Sequence, residues 1–507
     1  MLQTLKNAWK EPDIRKKVFY TLFILLLYRI GTVIPVPFVD ASGFSAAFGG
    51  TILDYMNTLS GGSLQMATLF ALGISPYITA SIVIQLLTVA IPALERWAQE
   101  GEEGKKKINN LTRYATVILA VVTAVGYYFL LQGSTTSGGT STLEAFVVIV
   151  SYCAGAAMVM WLAEKINEKG LGNGISIILF ANIISALPSK IIRLVRLCIL
   201  GFTGNDAGTN KVALWGSLAL LFALCYIAFL VGMVVFSVFI TGSERRLNVQ
   251  YAKRVVGRKM YGGQSQNLPL KLNMTGVMPV IFASSIISLP ATIMAFCGIG
   301  TAESYLGLRD SAGAFVWKNL WTNINTFLAS DGWFYPLALF ALIIAFSYFY
   351  VQISFNPVEV ANNLKKNGGS ILGIRPGRPT ALYIKKSLSK ITLVGAFFLS
   401  IIAIIPIIVV PIVMEPLVEG VILNLATVNS AGAITGSASS ALSELFAELG
   451  VNLKTNASSA LPSAVSYFTS SFAFGGTSLL IVVGVALETV RDLEAQLSMR
   501  NYKGFLN

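Results

Sequence analysis

The sequence predicts an all-α, polytopic membrane protein, because it is rich in apolar residues, poor in charges and contains long apolar stretches. Hydrophobic residues make up 54% of the 507 residues, and Asp, Glu, Lys and Arg together make up 12%, about half the charged share of a typical soluble domain. A helix that crosses a hydrocarbon core of about 30 Å needs roughly 20 mostly apolar residues. Ten stretches qualify as spans, at residues 18–37, 74–93, 113–132, 143–163, 175–192, 213–241, 275–296, 333–353, 391–413 and 474–490.

The positively charged residues are concentrated in alternate loops, which predicts the orientation of the chain. With a cytoplasmic N-terminus, the inside segments carry 29 Lys and Arg, the outside segments carry seven, and Arg29 lies within the first span. Because cytoplasmic loops of membrane proteins are enriched in Lys and Arg, both termini are predicted to lie inside. The outer end of the fifth span is a local exception, where Lys190, Arg193 and Arg196 lie close together.

The residue types that usually carry catalysis and metal binding are missing or scattered. The chain has no histidine, which excludes Ser-His-Asp triads, His-ligated zinc and imidazole proton relays. The cysteines lack the spacing of a metal site and the density of a disulfide scaffold, so we interpret them as small buried hydrophobic residues. They are Cys153, Cys198, Cys225 and Cys297. We therefore predict no catalytic residue, no metal and no cofactor.

The segment GGSLQMATLFALGISPYITASIVIQLLT, residues 61–88, places a short apolar piece before Pro76 and a full span. About ten residues are too few to cross a membrane. One interpretation is a re-entrant or half-inserted helix, which is tolerated at membrane depth only when protein encloses it or it lines a cavity. The other is an amphipathic loop that lies on the outer surface. Composition alone favours neither interpretation.

Eight stretches, in the same order along the chain, closely resemble the SecY family, the channel subunit of the bacterial protein translocase. They are RIGTVIPVP (29–37), ALGISPYITASIVIQLLT (71–88), EGEEGKKKINNLTRY (100–114), GLGNGISIILFANI (170–183), ERRLNVQYAKRVVGRKMYGGQSQNLPLKLN (244–273), GVMPVIFASSI (276–286), FNPVEVANNLKKNGGSILGIRPGRPT (355–380) and FGGTSLLIVV (474–483). The resemblance implies ten transmembrane helices in two five-helix halves around a central hourglass pore, which opens across the membrane and sideways into lipid.

The resemblance also implies how the chain is divided. An N-terminal half at 1–192 holds helices one to five, an extracytoplasmic connection follows at 193–212, a C-terminal half at 213–490 holds helices six to ten, and 491–507 is a cytoplasmic tail. Two long basic loops, 242–271 and 354–390, are expected to be cytoplasmic docking loops. The stretch 414–472, rich in Ser, Ala, Gly and Asn, is expected to be a loosely structured outer loop with a short helix at SALSELFAELG.

Three sets of site residues follow from the resemblance. The family's apolar pore ring falls on Ile74, Ile78, Ile175, Leu179, Ile281 and Ile481, with Leu179 in place of the more usual Ile. The plug, which caps the pore from outside at rest, falls on about 61–70, with Gly61, Gly62, Ser63, Leu64, Met66 and Leu69. The lateral gate between the second and seventh spans has Gln85 and Asn273 as a polar pair. Without the resemblance, such Ile pairs are ordinary packing and such a polar pair only joins two helices.

The docking loops imply protein and lipid partners. The residues expected to contact the SecA ATPase and the ribosome are Arg245, Arg246, Lys253, Arg254, Arg258, Arg375 and Arg378, with Arg375 the foremost among them. Anionic lipid headgroups alone explain most lysines in such loops. The resemblance further implies a SecE subunit, a peripheral SecG and preprotein signal sequences as partners. The expected location is the cytoplasmic membrane of a bacterium, with a thylakoid membrane as the alternative.

Two other classes of membrane protein fit the sequence less well. A secondary transporter is expected to carry ionisable residues within its spans, and Arg29 is the clear exception in helices nearly free of them. A membrane-embedded enzyme needs converging nucleophiles, bases or ligands, which are hard to assemble without histidine and with scattered cysteines. A Ser-Lys or Asp-Asp pair is compatible with the residue types present, but no predicted span shows one. The expected function is therefore a channel that passes unfolded preproteins outward and releases hydrophobic segments sideways.

Overall fold

The structure, a computed structural model, describes residue 9 and residues 11–39, 52–131, 141–202, 210–251, 254–256, 259–261, 265–297, 316–328, 334–418 and 476–503. The described chain is mostly α-helical, as predicted. Most of the predicted outer loop, including its short helix at SALSELFAELG, lies outside the described residues.

The helices up to residue 242 include long spans and two short pieces of eight residues. They are α1 (Pro12–Gly31), α2 (Ile52–Leu59), α3 (Ser75–Ala90), α4 (Pro92–Gln99), α5 (Glu102–Leu131), α6 (Thr142–Lys169), α7 (Gly174–Phe202) and α8 (Asn210–Gly242). α1 ends at Gly31 rather than continuing to 37 as predicted, because Pro35 and Pro37 cannot extend a helix. The chain from 34 to 36 instead runs extended and forms a β-bridge at Pro35 with Thr68.

After residue 242 the described chain has four strands, then four helices, a fifth strand and two further helices. The strands are β1 (Glu244–Tyr251), β2 (Arg254–Val256), β3 (Lys259–Tyr261), β4 (Ser265–Lys271) and β5 (Gly369–Ile371). The helices are α9 (Met278–Phe296), α10 (Trp317–Leu328), α11 (Phe334–Ser354), α12 (Pro357–Lys366), α13 (Arg378–Val409) and α14 (Gly476–Lys503). α13 continues into a π-helical turn at Val410–Met414.

Every predicted span overlaps a helix, although the helices differ in how well they fit a bilayer. Among the described residues, six helices are long and apolar enough to cross a membrane, namely α5, α6, α7, α8, α11 and α13. α3 and α4 form a seventh such unit if the pair is counted as one span bent by 105°. α9 is apolar but shorter, and α1 and α14 each combine an apolar stretch with a charged end. The count of ten stays a prediction.

Two small sheets occupy the predicted docking loops, which the sequence pattern did not predict. β1 pairs antiparallel with both β4 and β5, so the strand order is β4-β1-β5, and β2 pairs with β3. Leu247 and Val249 of β1 point inward and pack with Ile384 and Ile391 of α13. The two basic loops are therefore joined into one unit that is seated on α13.

The apolar core is continuous across both predicted halves. Its main cluster includes buried residues from α1, α3, α6, α7, α8, α9, α11, α13 and α14. A second cluster joins α5 and α6 to the chain between 64 and 72. Because α3 and α7 contribute to the same cluster as α9 and α14, the interior surface where the two predicted halves meet is apolar.

One end of the bundle gathers segments that are all predicted to lie inside. Lys17 Nζ of α1 donates to Gln496 Oε1 of α14 at 3.1 Å, and the Gly172 backbone N–H donates to Asp492 Oδ2 at 3.2 Å. Arg491 Nη2 also donates to the Thr241 carbonyl at 2.7 Å, next to the first docking loop. The N-terminal segment, the 164–174 turn, the tail and the first docking loop thus share one end.

The prediction that the four cysteines are buried was wrong, because none of them is fully buried. Cys153 and Cys198 are partly buried, whereas Cys225 and Cys297 are exposed on the chain's surface. Cys225 lies in α8, whose outward face is apolar along its length, with Leu221 and Leu224 also exposed. A thiol on a lipid-facing surface is as compatible with hydrocarbon as one in the core, so composition cannot separate the two locations.

Candidate functional site

The six predicted ring residues come from four helices and meet in one apolar region. Ile74 caps the N-terminus of α3 and Ile78 follows one turn later, Ile175 and Leu179 lie on α7, Ile281 on α9 and Ile481 on α14. Five of the six side chains belong to the main core cluster with at most 5% exposed, and partly buried Ile175 packs against that cluster. None of the six side chains carries a polar atom, so these side chains offer water no hydrogen-bond partner.

Glycines set the places where these helices begin. Gly174, at the start of α7, has no space for a Cβ against the Ala163 carbonyl of α6, and Gly476, at the start of α14, has none against the Ile402 carbonyl of α13. Asn side chains then cap α7, since the Gly174 N–H donates to Asn167 Oδ1 at 2.7 Å and the Ile175 N–H to Asn173 Oδ1 at 3.1 Å. These contacts fix the register that carries Ile175 and Leu179 inward.

A mostly apolar cleft that is partly open to solvent adjoins three of the predicted ring residues. Ile74, Ile78 and Leu179 line one part of it. The predicted plug region and the start of α3 supply most of the rest, with Met56, Leu59, Ser60, Leu64, Ala71, Leu72, Gly73, Ser75 and Pro76. The ring and the segment predicted to cap it therefore face the same space.

Residues 61–70, for which a re-entrant or half-inserted helix is one of the two interpretations, are not helical. The helix lies earlier, at α2, and residues 61–74 form successive turns. Gly61 and Gly62 have φ of +70° and +89°, in the left-handed region that ends helices and that glycine tolerates best. The Gly-Gly pair thus marks the end of the plug-region helix rather than its beginning.

Most of this turn segment is enclosed by protein. Ser63, Leu64 and Phe70 are each at most 2% exposed, whereas Met66 is 63% exposed and Gly61, Gly62 and Leu69 are partly buried. Burial of this extent favours the enclosed interpretation of 61–88 over a loop on the outer surface. The backbone groups of such a segment must find partners inside the protein.

Tyrosine hydroxyls on two neighbouring helices satisfy backbone carbonyls of the turn segment. The Tyr127 hydroxyl of α5 donates to the Leu64 carbonyl, and the Tyr152 hydroxyl of α6 donates to the Ala67 carbonyl at 3.3 Å. The two rings also pack edge to face, with centroids 5.0 Å apart. The segment is therefore held by directed bonds from the bundle as well as by apolar contact.

Asn182 of α7 makes a corresponding bond at the end of α2. Its Nδ2 donates to the Leu59 carbonyl at 2.7 Å and to the Tyr28 hydroxyl at 2.8 Å. The side chain is fully buried, and its Oδ1 has no hydrogen-bond partner among the described residues. Sequence reasoning missed Tyr28, Tyr127, Tyr152 and Asn182. The sequence signal for these residues was a polar group within an apolar span, because burying such a group costs free energy unless it is hydrogen-bonded.

Gly155 of α6 permits the closest approach between the bundle and the turn segment, because a Cβ there would overlap the Leu69 carbonyl oxygen. Gly155→Ala is therefore expected to destabilise the protein by about 1–3 kcal/mol, the usual range for overpacking. Gly232→Ala is the matched control, since nothing lies within 4 Å of a Cβ at that glycine of α8. Thermal unfolding in detergent measures both variants, and equal midpoints would contradict the expected clash.

The two predicted lateral-gate residues lie on or next to helices that contact each other, but each side chain has its own surroundings. Gln85 of α3 donates from Nε2 to Ser81 Oγ on its own helix at 3.3 Å. Asn273, just before α9, is 6% exposed, and its Oδ1 has no partner among the described residues. α3 and α9 are in contact, while the pairing of Gln85 with Asn273 stays a prediction.

The predicted docking arginines that the structure describes with side chains are exposed. Arg245 and Arg246 lie on β1, and Arg246 Nε pairs with Glu244 Oε1 at 2.8 Å. Arg375 follows β5 in a turn whose backbone is tied down, since Thr380 Oγ1 donates to the Arg375 carbonyl at 2.8 Å, and Arg378 begins α13. Because β1 pairs with β5, the sheet brings both sets of arginines onto one unit.

The remaining docking predictions have less structural detail. Arg254 lies in β2. Lys253 and Arg258 lie outside the described residues.

Comparison with known proteins gives the family. A family model described as SecY matches residues 68–428. The protein translocase subunit SecY of Streptomyces scabiei is 39% identical over 523 residues, and that of Corynebacterium glutamicum is 37% identical over 521 residues, in both cases across all of both chains. A solved structure of the SecY protein, described through its plug domain, shares the fold with a TM-score of 0.52 at 18% identity, covering 96% of this chain and 93% of that chain. The chain belongs to the SecY family.

Proposed function

We propose that this chain is the protein-conducting channel of a Sec translocase, which passes unfolded preproteins across the membrane and releases transmembrane segments sideways into the bilayer. Membership of a family of protein translocase subunits, which is not a family of enzymes, supports this function. The single observation that carries the mechanism is that the six apolar side chains, from four helices, belong to or pack against one buried apolar cluster, and that three of them, Ile74, Ile78 and Leu179, line a cleft.

The ring is proposed to seal the resting channel and to close around a passing chain. An apolar constriction gates by dewetting, because water and ions gain no favourable contact there. Aliphatic side chains have no fixed bonding partners, so a polypeptide displaces them by rotamer changes. The ring then acts as a soft seal that consists of Ile74, Ile78, Ile175, Leu179, Ile281 and Ile481.

The plug region is proposed to cap the ring in the resting state. Its support is the shared cleft, which has ring residues on one part of its lining and residues 56–64 on another. In the solved SecY structure of the same fold, the plug domain is described as stabilising the closed state and maintaining a membrane seal. The same role here is assigned to α2 and the turn that follows it.

The lateral gate is proposed to lie between α3 and α9, at Gln85 and Asn273. A side-chain hydrogen bond inside a membrane bundle is worth only about 0.6–2 kcal/mol. A hydrophobic signal helix that enters between the helices can replace an interaction of that size. The unpartnered Oδ1 of buried Asn273 supports a site whose polar bonding changes between states.

The two basic loops are proposed to dock the SecA ATPase during export and the ribosome during insertion. Their exposed arginines suit carboxylates and RNA phosphates alike, because the planar guanidinium binds either group bidentately. SecE, SecG, signal sequences and anionic lipids are proposed as the further partners. The gathering of four predicted inside segments at one end of the bundle supports cytoplasmic termini in a bacterial inner membrane.

The two-part division of the chain is also proposed, with 1–192 and 213–490 as halves on either side of the pore. Its support is the apolar surface that α3 and α7 share with α9 and α14. An apolar surface allows the two halves to close against each other, because few polar groups on it need hydrogen-bond partners.

Reconstitution tests the proposed function. The complex that co-purifies with this chain is expected to contain a small SecE-like protein and, in proteoliposomes with SecA and ATP, to carry a secretory preprotein into the lumen. Vesicles with the complex but without SecA are the control. Joining Gln85→Cys to Asn273→Cys with a bifunctional reagent is expected to block release of hydrophobic segments into lipid. No preprotein uptake would contradict the channel assignment, whereas unaffected release would contradict only the gate.

A further inference from the structure

We infer that α10 lies along the outer surface of the bilayer as an interfacial helix, with Trp317 and Trp321 at the boundary between lipid headgroups and acyl chains. The partner of this helix is thus a lipid surface. None of the predicted ring, plug, gate or docking residues lies on α10. The inference requires that α11 crosses the membrane, and it does not depend on whether the chain conducts preproteins.

The contacts of α10 place it at the end of a span. α10 contacts both α9 and α11, and the Phe327 ring stacks on Phe334, the first residue of α11, with centroids 4.2 Å apart. α11 is among the described helices that are long and apolar enough to cross a membrane. With 12 residues, or about 18 Å, α10 is too short to cross a membrane itself. It therefore lies where hydrocarbon gives way to headgroups, on the side predicted to be outside.

The face of α10 that packs against the protein is polar. Four side chains with the spacing of a single helix face form it, namely Asn319, Thr322, Asn323 and Thr326. Thr322 is 8% exposed, and the other three are partly buried. The Thr322 hydroxyl donates to the Lys318 carbonyl and the Thr326 hydroxyl to the Thr322 carbonyl, both at 2.9 Å. Because these hydroxyls bond to their own helix, they can be covered by protein at little cost.

The opposite face of α10 is apolar and points away from the protein. Trp317, Trp321 and Ile324 share it, since they follow one another at four and three residues. Trp317 is 66% exposed and Trp321 is 45% exposed. A helix on a water-facing surface turns its apolar stripe inward and its polar face outward. α10 has the reverse arrangement, so the surroundings of its outward face are expected to be apolar.

The residue types on this face indicate the interface rather than the hydrocarbon interior. Tryptophan is enriched at membrane–water interfaces, because its ring is apolar while its indole N–H bonds to headgroups or water. Lys318 is the one charged residue of α10 and is exposed at the edge of the face. Its long side chain lets the ammonium group reach a lipid phosphate. Leu337, which lies one turn into α11 from Phe334, is 65% exposed, so the apolar surface continues from α10 onto the span.

The outward face of α10 is too small for a stable protein partner. A tryptophan buries about 150–250 Å² when it is fully covered, so Trp317 and Trp321 together supply about 500 Å² at most. A stable protein interface covers about 800 Å² on each partner. A bilayer has no such minimum, because it covers the exposed side of α11 at the same time.

Two adjacent cysteines test the inference in a background in which the four native cysteines are serines. Trp317→Cys or Lys318→Cys is labelled with the same small fluorophore, and the complete complex is placed in vesicles of phosphatidylcholine and phosphatidylglycerol. Both positions are exposed on the protein, but they point about 100° apart around the helix, so Lys318→Cys is the matched control. Quenching is measured with iodide in the water and with lipids that carry bromine near either end of their acyl chains.

The label at 317 is expected to lose most of its iodide quenching and to be quenched by bromine near the headgroup end, since an interfacial helix buries its apolar face about 5–10 Å. The label at 318 is expected to remain accessible to iodide. Equal iodide quenching at both positions without quenching by lipid would place α10 in water and overturn the inference. Protection of 317 from both quenchers would show that a protein covers the face. Stronger quenching by bromine near the methyl end would place the helix in the hydrocarbon interior. Either result would overturn the inference as well.

A second measurement uses the native tryptophans and needs no label. The chain has seven tryptophans, and Trp317→Phe combined with Trp321→Phe removes the two on α10. This double substitution is expected to remove less fluorescence in vesicles with bromine near the headgroup end than in unbrominated vesicles, because lipid already quenches these two rings. Equal losses in the two kinds of vesicle would contradict the inference. Neither measurement involves transport, so preprotein uptake by the same vesicles tests the proposed function separately.

Discussion

Replacing Ile78 and Ile281 together with serine is expected to make the resting channel leak ions. Both side chains are at most 5% exposed within the shared apolar cluster, on α3 and α9. Each serine removes most of an aliphatic side chain, whose burial is worth about 1.5–3 kcal/mol, and adds a hydroxyl that hydrogen-bonds water. A constriction that stays dry because it is apolar then fills with water and conducts.

Single-channel recording in planar bilayers measures the leak, and a matched double variant separates it from general loss of stability. Ile343 of α11 and Ile402 of α13 are fully buried in the same cluster but are not predicted ring residues. Ile343→Ser with Ile402→Ser is therefore expected to lower the unfolding temperature without raising the resting conductance. Equal resting conductance in the two double variants, or unchanged conductance in the ring variant, would contradict the assignment of Ile78 and Ile281 to the pore ring.

The shared apolar burial of the predicted ring residues could be expected from sequence, because it depends on local features of the chain. Ile74 and Ile78, like Ile175 and Leu179, are spaced one helical turn apart, so each pair shares a helix face. Spans of about 20 apolar residues then place those faces within a membrane. The family resemblance selected these pairs from the many similar ones, and the structure places all six side chains in the same apolar region.

The anchoring of the plug region was not accessible in this way, because it depends on contacts between distant residues. The Tyr127 hydroxyl meets the Leu64 carbonyl only because α5 packs beside the turn segment. A backbone carbonyl acceptor has no sequence signature, so the sequence does not show which carbonyl each tyrosine hydroxyl bonds to. The Gly-Gly pair gave a real signal of positive φ, but that signal does not say whether a helix begins or ends there.

The sheet that joins the two docking loops could not be predicted from the sequence for a related reason. β5 is three residues long, and about 120 residues separate it from β1, its partner. A strand of that length has no period to detect, and its pairing depends on α13 bringing it into place. The basic composition of both loops predicted a docking surface. The sheet that joins the two loops into one surface was seen only in the structure.

Replacing Arg375 with glutamate is expected to weaken ribosome binding by roughly 10- to 100-fold, since a hydrogen bond to a charged group contributes about 1.5–3 kcal/mol. Arg375 is exposed in a turn held by the Thr380 hydroxyl, directly after β5. The substitution removes a guanidinium and adds a carboxylate, which repels phosphate. Binding should also become less dependent on salt, because fewer counterions are released when fewer phosphates are neutralised. Co-sedimentation of the detergent-solubilised complex with ribosomes over a range of salt concentrations measures both effects.

Lys318→Glu is the matched control, because Lys318 is an exposed cation on α10 and is predicted to lie on the outer side. It changes the net charge of the protein by the same amount, so any general effect of charge appears equally in both variants. Unchanged ribosome binding in Lys318→Glu, with weakened binding in Arg375→Glu, supports docking at the sheet that joins the two loops. If the two variants bound equally weakly, the effect would belong to net charge rather than to this surface. If Arg375→Glu bound ribosomes and supported SecA-driven transport normally, the assignment of Arg375 would be wrong.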